Sequence, residues 1–357
     1  MVSSLNPLGV LDFYQDHFYD VSFWRPYIHM VAKRQSLTSP TLIELGIPGT
    51  FPTFLVNRSW VVKFFGPLFN GQASFAMEKW VNQVVTHLQE ANRHPGPAQG
   101  SPQPTPWAIP SPRLLASGEL SLPGEYWPWP FLIFSYHPGQ SLDEWFDAIE
   151  FRSRLDLARD LGKWATWFHR LDSWNREPKP APATGKKTYA DFLSSQVQGC
   201  SSRHAQWGSL PPHLIQQIDG YLASTRDLVG VASPSHLIHA DLTRDHILGR
   251  LEQGRWRSEA VIDFGDAMHG DLFYELAALH LELLGGDKRL LSAFLAEYRG
   301  PGWDGLADKD TFCHKAMATA LLHQFNVFEP LPEIIPDWSA IRTLDQLAVR
   351  LWSFYDE

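Results

Sequence analysis

Two carboxylates and their spacing set the chemistry this chain is equipped for. Asp241 lies in Leu237-Ile-His-Ala-Asp-Leu-Thr-Arg-Asp-His-Ile-Leu248 and Asp263 in Ala260-Val-Ile-Asp-Phe-Gly-Asp266, 22 residues apart and each just after an apolar run. Phosphoryl transfer needs one carboxylate to orient or deprotonate the attacking hydroxyl and another to hold Mg²⁺ against the phosphates of a nucleotide. Asp241 suits the first role and Asp263 the second. Taken singly, each is ambiguous: His-x-Asp is common, and an Asp after a buried strand often only caps a turn or a helix. The two together, in this order, point to catalysis.

The flanking residues read as the elements that set both carboxylates on one wall of a cleft. Ile238 leads into the Asp241 loop, Ile247-Leu248 reads as a short strand, Gly249-Arg-Leu-Glu-Gln-Gly254 as a turn and Ala260-Val-Ile262 as the returning strand. Upstream, Leu11 to Arg34 reads as helical and Ser36 to Thr41 as a loop. Phe54-Leu-Val56 and Trp60-Val-Val-Lys-Phe-Phe65 then flank a hairpin signal, Asn57-Arg58-Ser59. Lys63 is a charge embedded in that second strand, and Glu78 sits in the first half of a helix read from Gln72 to Ala91. An edge-strand lysine and a solvated helix glutamate would explain both equally well on local pattern alone.

Asn92 to Pro112, dense in Pro, Gly, Gln and Ser, reads as an exposed insertion. Strands follow at Arg113 to Leu120 and Trp129 to Phe134, the second ending at Ser135-Tyr-His-Pro-Gly139. Beyond, Leu155 to Leu171 carries one apolar stripe, Leu157, Leu161, Trp164, Ala165 and Phe168. A Pro/Lys-rich loop from Asp172 to Lys187 precedes helices read at Tyr189 to Gln198, Leu214 to Val229, Phe273 to Leu284, Lys288 to Tyr298, Lys309 to Phe328 and Asp345 to Tyr355. His169, at the end of the Leu155 helix, reads as a core or capping histidine.

At 357 residues the chain has room for two lobes with separate cores, and 44% hydrophobic with 13% aromatic residues places it among globular chains. A net charge of −9 gives no basic footprint for nucleic acid, while an acidic surface suits a cationic small molecule if carboxylates gather at the cleft. Cys200 and Cys313 make neither a disulfide framework nor a metal-ligand spacing, so a reducing compartment is expected. The N-terminus lacks the charged and apolar regions of a signal peptide, and no run approaches the length of a membrane span. These features read as a cytoplasmic protein, monomeric or weakly dimeric, with no nucleic acid or membrane partner.

The sequence resembles the aminoglycoside phosphotransferase family, relatives of the protein kinases whose members show His-x-Asp-Leu-x-x-x-Asn-Ile-Leu and, later, Ile-Asp-Phe/Trp-x-Asp-x-x-x-Gly-Asp-x-x-x-Asp/Glu-Leu-Ala. The second motif stands here as Ile262-Asp-Phe-Gly-Asp-Ala-Met-His-Gly-Asp-Leu-Phe-Tyr-Glu-Leu-Ala277. Further likeness to the pattern of hygromycin B 7''-O-kinases lies in Phe23-Trp24-x-Pro26, Val61-Val-Lys-Phe-Phe-Gly66, Trp127-Pro-Trp-Pro-Phe-Leu132 and Leu322-His-x-Phe-x-Val-Phe-Glu329. The resemblance implies an α+β, two-lobed protein-kinase-like fold. An antiparallel-sheet N-lobe would span 1–134, a hinge 135–140, and a mainly helical C-lobe 141–357.

It also implies roles. Lys63 would hold the nucleotide phosphates and pair with Glu78. Gly49 and Thr50, in a loop that stands where kinases have Gly-x-Gly-x-x-Gly without matching it, would cap phosphates, and Ser135 and His137 would meet the adenine. Asp241 would be the base, Asp263 a metal ligand, and His239 and Asp271 structural supports, Asp271 by holding the catalytic loop. Asp266 and Glu329, with His323 nearby, would face the acceptor. The first motif departs from the family at one position: His246 stands where Asn usually coordinates the metal. Imidazole suits softer metals than Mg²⁺, so His246 is either a metal ligand, with Mn²⁺ as an alternative, or a phosphate contact. The implied cofactors are ATP, or GTP, with Mg²⁺. The implied activity is transfer of the γ-phosphoryl group to a hydroxyl of a cationic, aminoglycoside-like acceptor. Two alternatives stand beside it: a kinase of a housekeeping cationic or sugar metabolite, and a nucleotide-binding pseudokinase.

Overall fold

The N-terminal lobe is built on one antiparallel sheet of five strands, β1 (Ile43–Leu45), β2 (Thr53–Val56), β3 (Trp60–Phe64), β4 (Leu114–Ser121) and β5 (Pro128–Ser135), in the order β1-β2-β3-β5-β4. The computed structural model describes residues 16–93, 110–122, 127–171, 180, 188–230, 235–301 and 308–353. The period of two along β3 sorts its side chains. Trp60, Val62 and Phe64 pack with Trp24, Ile28 and Val31 of helix α1 (Val21–Arg34), which leaves Lys63 on the opposite face, toward helix α2 (Gly71–Arg93) and Glu78. Both faces of the strand are therefore covered, and Lys63 is buried in its interior, not placed at an edge. The hairpin at 57–59 forms as expected: Val56 pairs with Trp60, and Asn57 and Arg58, both at positive φ, lie in the turn closed by the Ser59 N–H on the Val56 carbonyl.

The helix expected from Leu11 to Arg34 is interrupted: residues 16–17 are helical, 18–19 form a turn, and a new helix starts at Val21, where Asp20 accepts hydrogen bonds from the backbone N–H groups of Ser22 and Phe23 and caps it. Residues 11–15 of that expectation, 94–109 of the expected insertion and most of 172–187 lie outside the described residues.

The C-terminal lobe packs around helix α3 (Phe151–Phe168), whose predicted stripe is buried as read. Helices α4 (Tyr189–Val197) and α5 (Cys200–Trp207) follow; α5 was not legible from its polar sequence. The helix read from Leu214 to Val229 is three short pieces, α6 (Pro212–Ile215), α7 (Ile218–Ser224) and α8 (Arg226–Gly230). The first break falls at Gln217, whose side chain donates to the Arg342 carbonyl and accepts from the Leu344 N–H.

A small two-stranded ladder pairs β7 (His236–Ile238) with β10 (Met268–Gly270), and a second sheet joins β6 (Gln140–Ser141), β8 (Ile247–Glu252) and β9 (Arg255–Val261). The turn expected over Gly249 to Gly254 shrinks to Gln253-Gly254, both at positive φ, so Gly249 to Glu252 continue the strand. Then come α9 (Leu272–Ala278), which widens into a π-helical turn at Leu279–Leu283, α10 (Lys288–Glu297), α11 (Lys309–Leu321), α12 (Leu331–Ile334) and α13 (Leu344–Trp352). Gly162 of α3 lies so close to the Phe294 carbonyl of α10 that a Cβ there would come within 2.4 Å of the oxygen. The expected helix Lys309 to Phe328 stops at Leu321, and the chain turns so that His323 passes beneath the Asp241 loop. Cys200 and Cys313 are both free and buried, and no helix among the described residues is long and apolar enough to cross a membrane.

Candidate active site

Asp241 and Asp263 are brought together by two loops stitched edge to edge. His239 Nε2 donates to the Ile262 carbonyl at 3.0 Å, and the Ile262 N–H donates to the His246 carbonyl, also at 3.0 Å. His239 is fully buried; burial pushes its pKa down to about 3, so the ring is neutral and its role is structural. Ala240 and Asp263 both adopt left-handed backbone, φ 67° and 63°. Asp tolerates that region through its short polar side chain; for Ala the cost is about 1–2 kcal/mol. Ala240 is held there by Glu275, whose Oε2 accepts from its N–H at 2.8 Å, and by His323, whose Nε2 reaches its carbonyl at 3.1 Å.

Lys63 joins the two lobes electrostatically. Its Nζ donates to Glu78 Oε2 at 2.9 Å and to Asp263 Oδ1 at 2.7 Å. Burial alone would favour the neutral amine, but two carboxylates outweigh it and keep Lys63 charged. Burial raises the Glu78 carboxyl to about 7 against the pull of Lys63. Asp263 goes the other way: burial opposes its charge, yet Lys63 and His246 hold it well below the usual carboxylate range. Asp241 is raised, chiefly by burial, with His246 and Lys63 offsetting part of the effect.

His246 is fixed by the loop it belongs to. Its Nδ1 lies 2.5 Å from the Asp241 carbonyl oxygen and 3.2 Å from Thr243 Oγ1, which assigns a proton to Nδ1 and turns Nε2 toward Asp263 Oδ2, 3.8 Å away. Burial favours the neutral ring, but Asp241 and Asp263 raise its pKa overall. A histidine that ligates a metal ordinarily donates its other ring N–H to a carbonyl or carboxylate, and His246 is held in that manner. Asp263 Oδ2 and His246 Nε2 therefore fit a divalent cation that draws its other ligands from phosphate and water, as Mg²⁺ at nucleotide sites does. Among the described residues no group of three His, Cys, Asp or Glu forms a complete protein cage.

A cleft of about 640 Å³ opens over these groups, lined by Asp241, Asp245, His246, Asp263, Asp266 and Glu282 from one side and by residues 48–51 and 68–69 with Phe18 and Tyr19 from the other. Two carboxylates, an imidazole and a lysine–glutamate pair on a two-lobed scaffold are the parts of a phosphoryl-transfer site. The family model of the APH phosphotransferase enzymes matches residues 51–308, which include all of them. The chain belongs to this family.

Among solved structures, the GDP complex of wild-type aminoglycoside 2'-phosphotransferase-IIIa is similar with a TM-score of 0.58 at 19% identity, over 92% of this chain and 96% of that one. The streptomycin–ATP ternary complex of APH(2")-IIa is similar with a TM-score of 0.51 at 15% identity, over 89% and 96% of the two chains. These likenesses establish the APH kinase-like fold. Among curated proteins, the lysine-specific demethylase JMJ21 of Arabidopsis thaliana is 24% identical over 274 residues, 63% of this chain. The APH chain spans only 29% of that relative's length.

The remaining residues expected at the APH site divide. Gly49 and Thr50 line the cleft, and nothing lies within 4 Å of where a Gly49 Cβ would stand, so the loop backbone is open to a ligand. Asp266 lines it too, with Gln324 Nε2 3.3 Å from its Oδ1. Ser135 is not among the residues lining this cleft; its N–H donates to the Arg113 carbonyl and its hydroxyl accepts from the Arg113 N–H. His137 turns its Nδ1 to the Gly139 N–H and its Nε2 toward Glu259 at 3.9 Å, away from the lining residues. Glu329 is exposed and is not among the cleft-lining residues. The side chain in that position is Glu282, carried on the π-helical turn and missed in the sequence because it sits in an apolar run; its one signal was a lone charge among Leu279, Leu281, Leu283 and Leu284.

Asp271 is a support, but not of the catalytic loop. It caps α9, accepting from the Tyr274 N–H, takes a hydrogen bond from the Tyr189 hydroxyl and pairs with Lys315 at 3.4 Å. The loop is held by Glu275, one helical turn farther on, whose Oε2 accepts from the Ala240 N–H at 2.8 Å.

Proposed function

We propose that this APH family member is an ATP-dependent kinase that phosphorylates a hydroxyl of a cationic, aminoglycoside-like small molecule, of which hygromycin B is the type. The observation that carries the reading is the convergence of Asp241, Asp263 and His246 on one cleft, with the buried Lys63–Glu78 pair joined to it through the ion pair of Lys63 with Asp263. The related solved structures, a GDP complex and a streptomycin–ATP complex, support a nucleotide and a polycationic acceptor, and GTP is the alternative donor. The proposed lobes are residues 1–134 and 141–357 joined by 135–140, in a cytoplasmic protein acting as a monomer or weak dimer.

In this reading the acceptor hydroxyl hydrogen-bonds to the Asp241 carboxylate, which receives its proton as the oxygen attacks the γ-phosphorus. The bond from γ-phosphorus to the bridging oxygen breaks, and its electron pair leaves with ADP. Lys63 and the backbone of Gly49 and Thr50 bind the phosphates, with Glu78 fixing the lysine. Asp263 and His246 would hold the divalent cation, which when bound neutralises charge on the phosphates. Glu282, Asp266 and Asp245 face the acceptor across from Phe18, Tyr19 and Phe69.

That aromatic wall favours a second reading, a smaller metabolite with one cationic group and one apolar face, held by ring faces and a carboxylate together. One assay separates the readings. Purified protein, ATP and either Mg²⁺ or Mn²⁺ are incubated with hygromycin B, kanamycin, streptomycin and a panel of amino alcohols and sugars, and products are screened by mass for an added phosphate. Fast phosphorylation of an aminoglycoside supports the first, of a small amino alcohol the second. Absence of any product and of nucleotide binding would sink both.

A further inference from the structure

We infer that His323 is a positioning residue for Asp241: a neutral imidazole from beyond α11 that fixes the peptide immediately preceding the carboxylate. Its tautomer is determined by two contacts. The Phe325 N–H donates to Nδ1 at 3.2 Å, so Nδ1 carries no proton, and Nε2–H therefore donates to the Ala240 carbonyl at 3.1 Å. The ring is fully buried and stacks on Tyr274 with centroids 4.4 Å apart, so it cannot swing to another partner without vacating its slot. Burial pushes its pKa down to about 4, which keeps this donor arrangement through the neutral range.

Ala240 needs such a clamp because it stands at φ 67° without the freedom of glycine. Its N–H is taken by Glu275 and its carbonyl by His323, so both peptide planes flanking this residue are fixed by side chains from different parts of the C-lobe. The Ala240 carbonyl belongs to the peptide whose nitrogen is that of Asp241. Rotation of that plane would swing the Asp241 side chain, and a misplacement near 1 Å can cost about 10²-fold in rate. The adjacent Gln324 reaches Asp266 Oδ1 at 3.3 Å and donates its N–H to the Tyr274 hydroxyl at 3.0 Å. One two-residue segment thus braces the Asp241 loop and the Asp266 loop at once.

The rate consequence rests on the proposed phosphoryl transfer; the clamp itself does not. The test compares the wild-type chain with His323→Phe, which keeps a ring to stack on Tyr274 but removes the donor, and His323→Gln, which restores a donor. Turnover is measured against ATP and acceptor, and hydrogen exchange is followed at the Ala240 and Asp241 amides. Expected is a kcat loss of roughly 10- to 100-fold in His323→Phe with both KM values unchanged, partial recovery in His323→Gln, and faster exchange at those two amides only in the Phe variant. Wild-type kcat in a folded His323→Phe protein, a rise in KM alone, or unchanged loop exchange would overturn the inference. If the wild-type chain transfers phosphate to nothing, the functional reading fails while the exchange comparison still decides the clamp. If His323→Phe does not fold, exchange in His323→Gln against wild type decides it, with protection retained expected and protection lost overturning.

Discussion

Lys63 Nζ lies 2.7 Å from Asp263 Oδ1, a direct ion pair between β3 of the sheet lobe and the Asp263 loop 200 residues later. The same nitrogen holds Glu78 at 2.9 Å, so one cation compensates two carboxylates at the junction of the lobes. Glu78 has a side-chain exposure of 3% and Asp263 of 29%, so Glu78 depends on Lys63 for its charge far more than Asp263 does. The pair thus has a structural consequence before any nucleotide enters.

Replacing Lys63 with Met leaves both carboxylates without their partner. Breaking a buried pair on one side costs about 3–5 kcal/mol, and the partial exposure of Asp263 places this case at the lower end, near about 3 kcal/mol in urea denaturation at neutral pH. The sign of the pH effect follows from carboxyls whose folded pKa now stands above the unfolded value. Such groups leave stability intact below the unfolded pKa and remove it as pH rises through the folded one. The deficit of Lys63→Met relative to wild type therefore shrinks as pH is lowered from 8 toward 5, roughly the range between raised and unperturbed carboxyl values. A deficit independent of pH would mean that the lost packing of the lysine stem, not charge, dominates.

Asp241→Asn keeps the shape and the hydrogen-bonding reach of the side chain but cannot receive a proton. Loss of a general base typically costs 10²–10⁴-fold, roughly, in turnover. Nucleotide affinity by calorimetry should stay at the wild-type value, because Lys63, Glu78 and Asp263 are untouched. Turnover within a few-fold of wild type would remove Asp241 from the base role.

How the sequence encodes this site explains which parts of it were readable. Asp241 and Asp263 were legible because each follows an apolar run at a suggestive spacing, whereas Lys63 and Glu78 were assigned only through the family resemblance, since their local pattern also fitted an edge lysine and a solvated glutamate. The structure resolves the ambiguity: Glu78 lies on the α2 face that meets β3, and Lys63 on the β3 face that meets α2. Glu282, Phe18 and Tyr19 carried no such signal, since they reach the cleft only through the widening of a helix into a π turn and the path of a segment before α1. The hydrogen bonds of Ser135 were not readable for a related reason: the apolar pattern of β5 says where the strand ends but not that its N–H and hydroxyl are taken by Arg113. Glu275 and Asp271 were both visible in one motif, yet only coordinates show that the cap and the loop clamp are divided between them.

His246 sets a prediction about metal preference. An imidazole is a softer ligand than the amide oxygen of Asn, and the affinity of a nitrogen-containing site for Mn²⁺ exceeds what an all-oxygen site gains. The ratio of turnover in Mn²⁺ to turnover in Mg²⁺ should therefore fall in His246→Asn relative to wild type, with Mg²⁺-supported turnover maintained or increased. His246→Ala, which offers no ligand and frees the Asp241 carbonyl, should lose turnover in both metals. An unchanged metal ratio in His246→Asn would assign the ring to a phosphate contact.

The face of the cleft proposed to meet the acceptor carries the last prediction. Burial, together with Asp241 and neighbouring carboxylates, pushes Asp266 up to about 7 and Glu282 up to about 8, so near neutrality neither is fully charged. A cationic acceptor gains attraction only from the ionised form, and its binding in turn favours that form. Its affinity should therefore rise as pH increases through this range and fall as the carboxyls are protonated below it, provided the amine stays charged. Glu282→Gln should flatten the alkaline part of that dependence and weaken acceptor binding while leaving nucleotide affinity unchanged, since Glu282 lies on the π-helical turn, apart from Lys63 and the loop at Gly49. Equilibrium binding, measured with a cationic acceptor and with an uncharged analogue, isolates this from the titration of Asp241 that turnover would mix in. The analogue should show no such pH dependence, and salt should weaken the cation alone. Equal pH profiles for the two compounds would place the cationic group away from Glu282 and Asp266, and would return the choice of acceptor to the aromatic wall formed by Phe18, Tyr19 and Phe69.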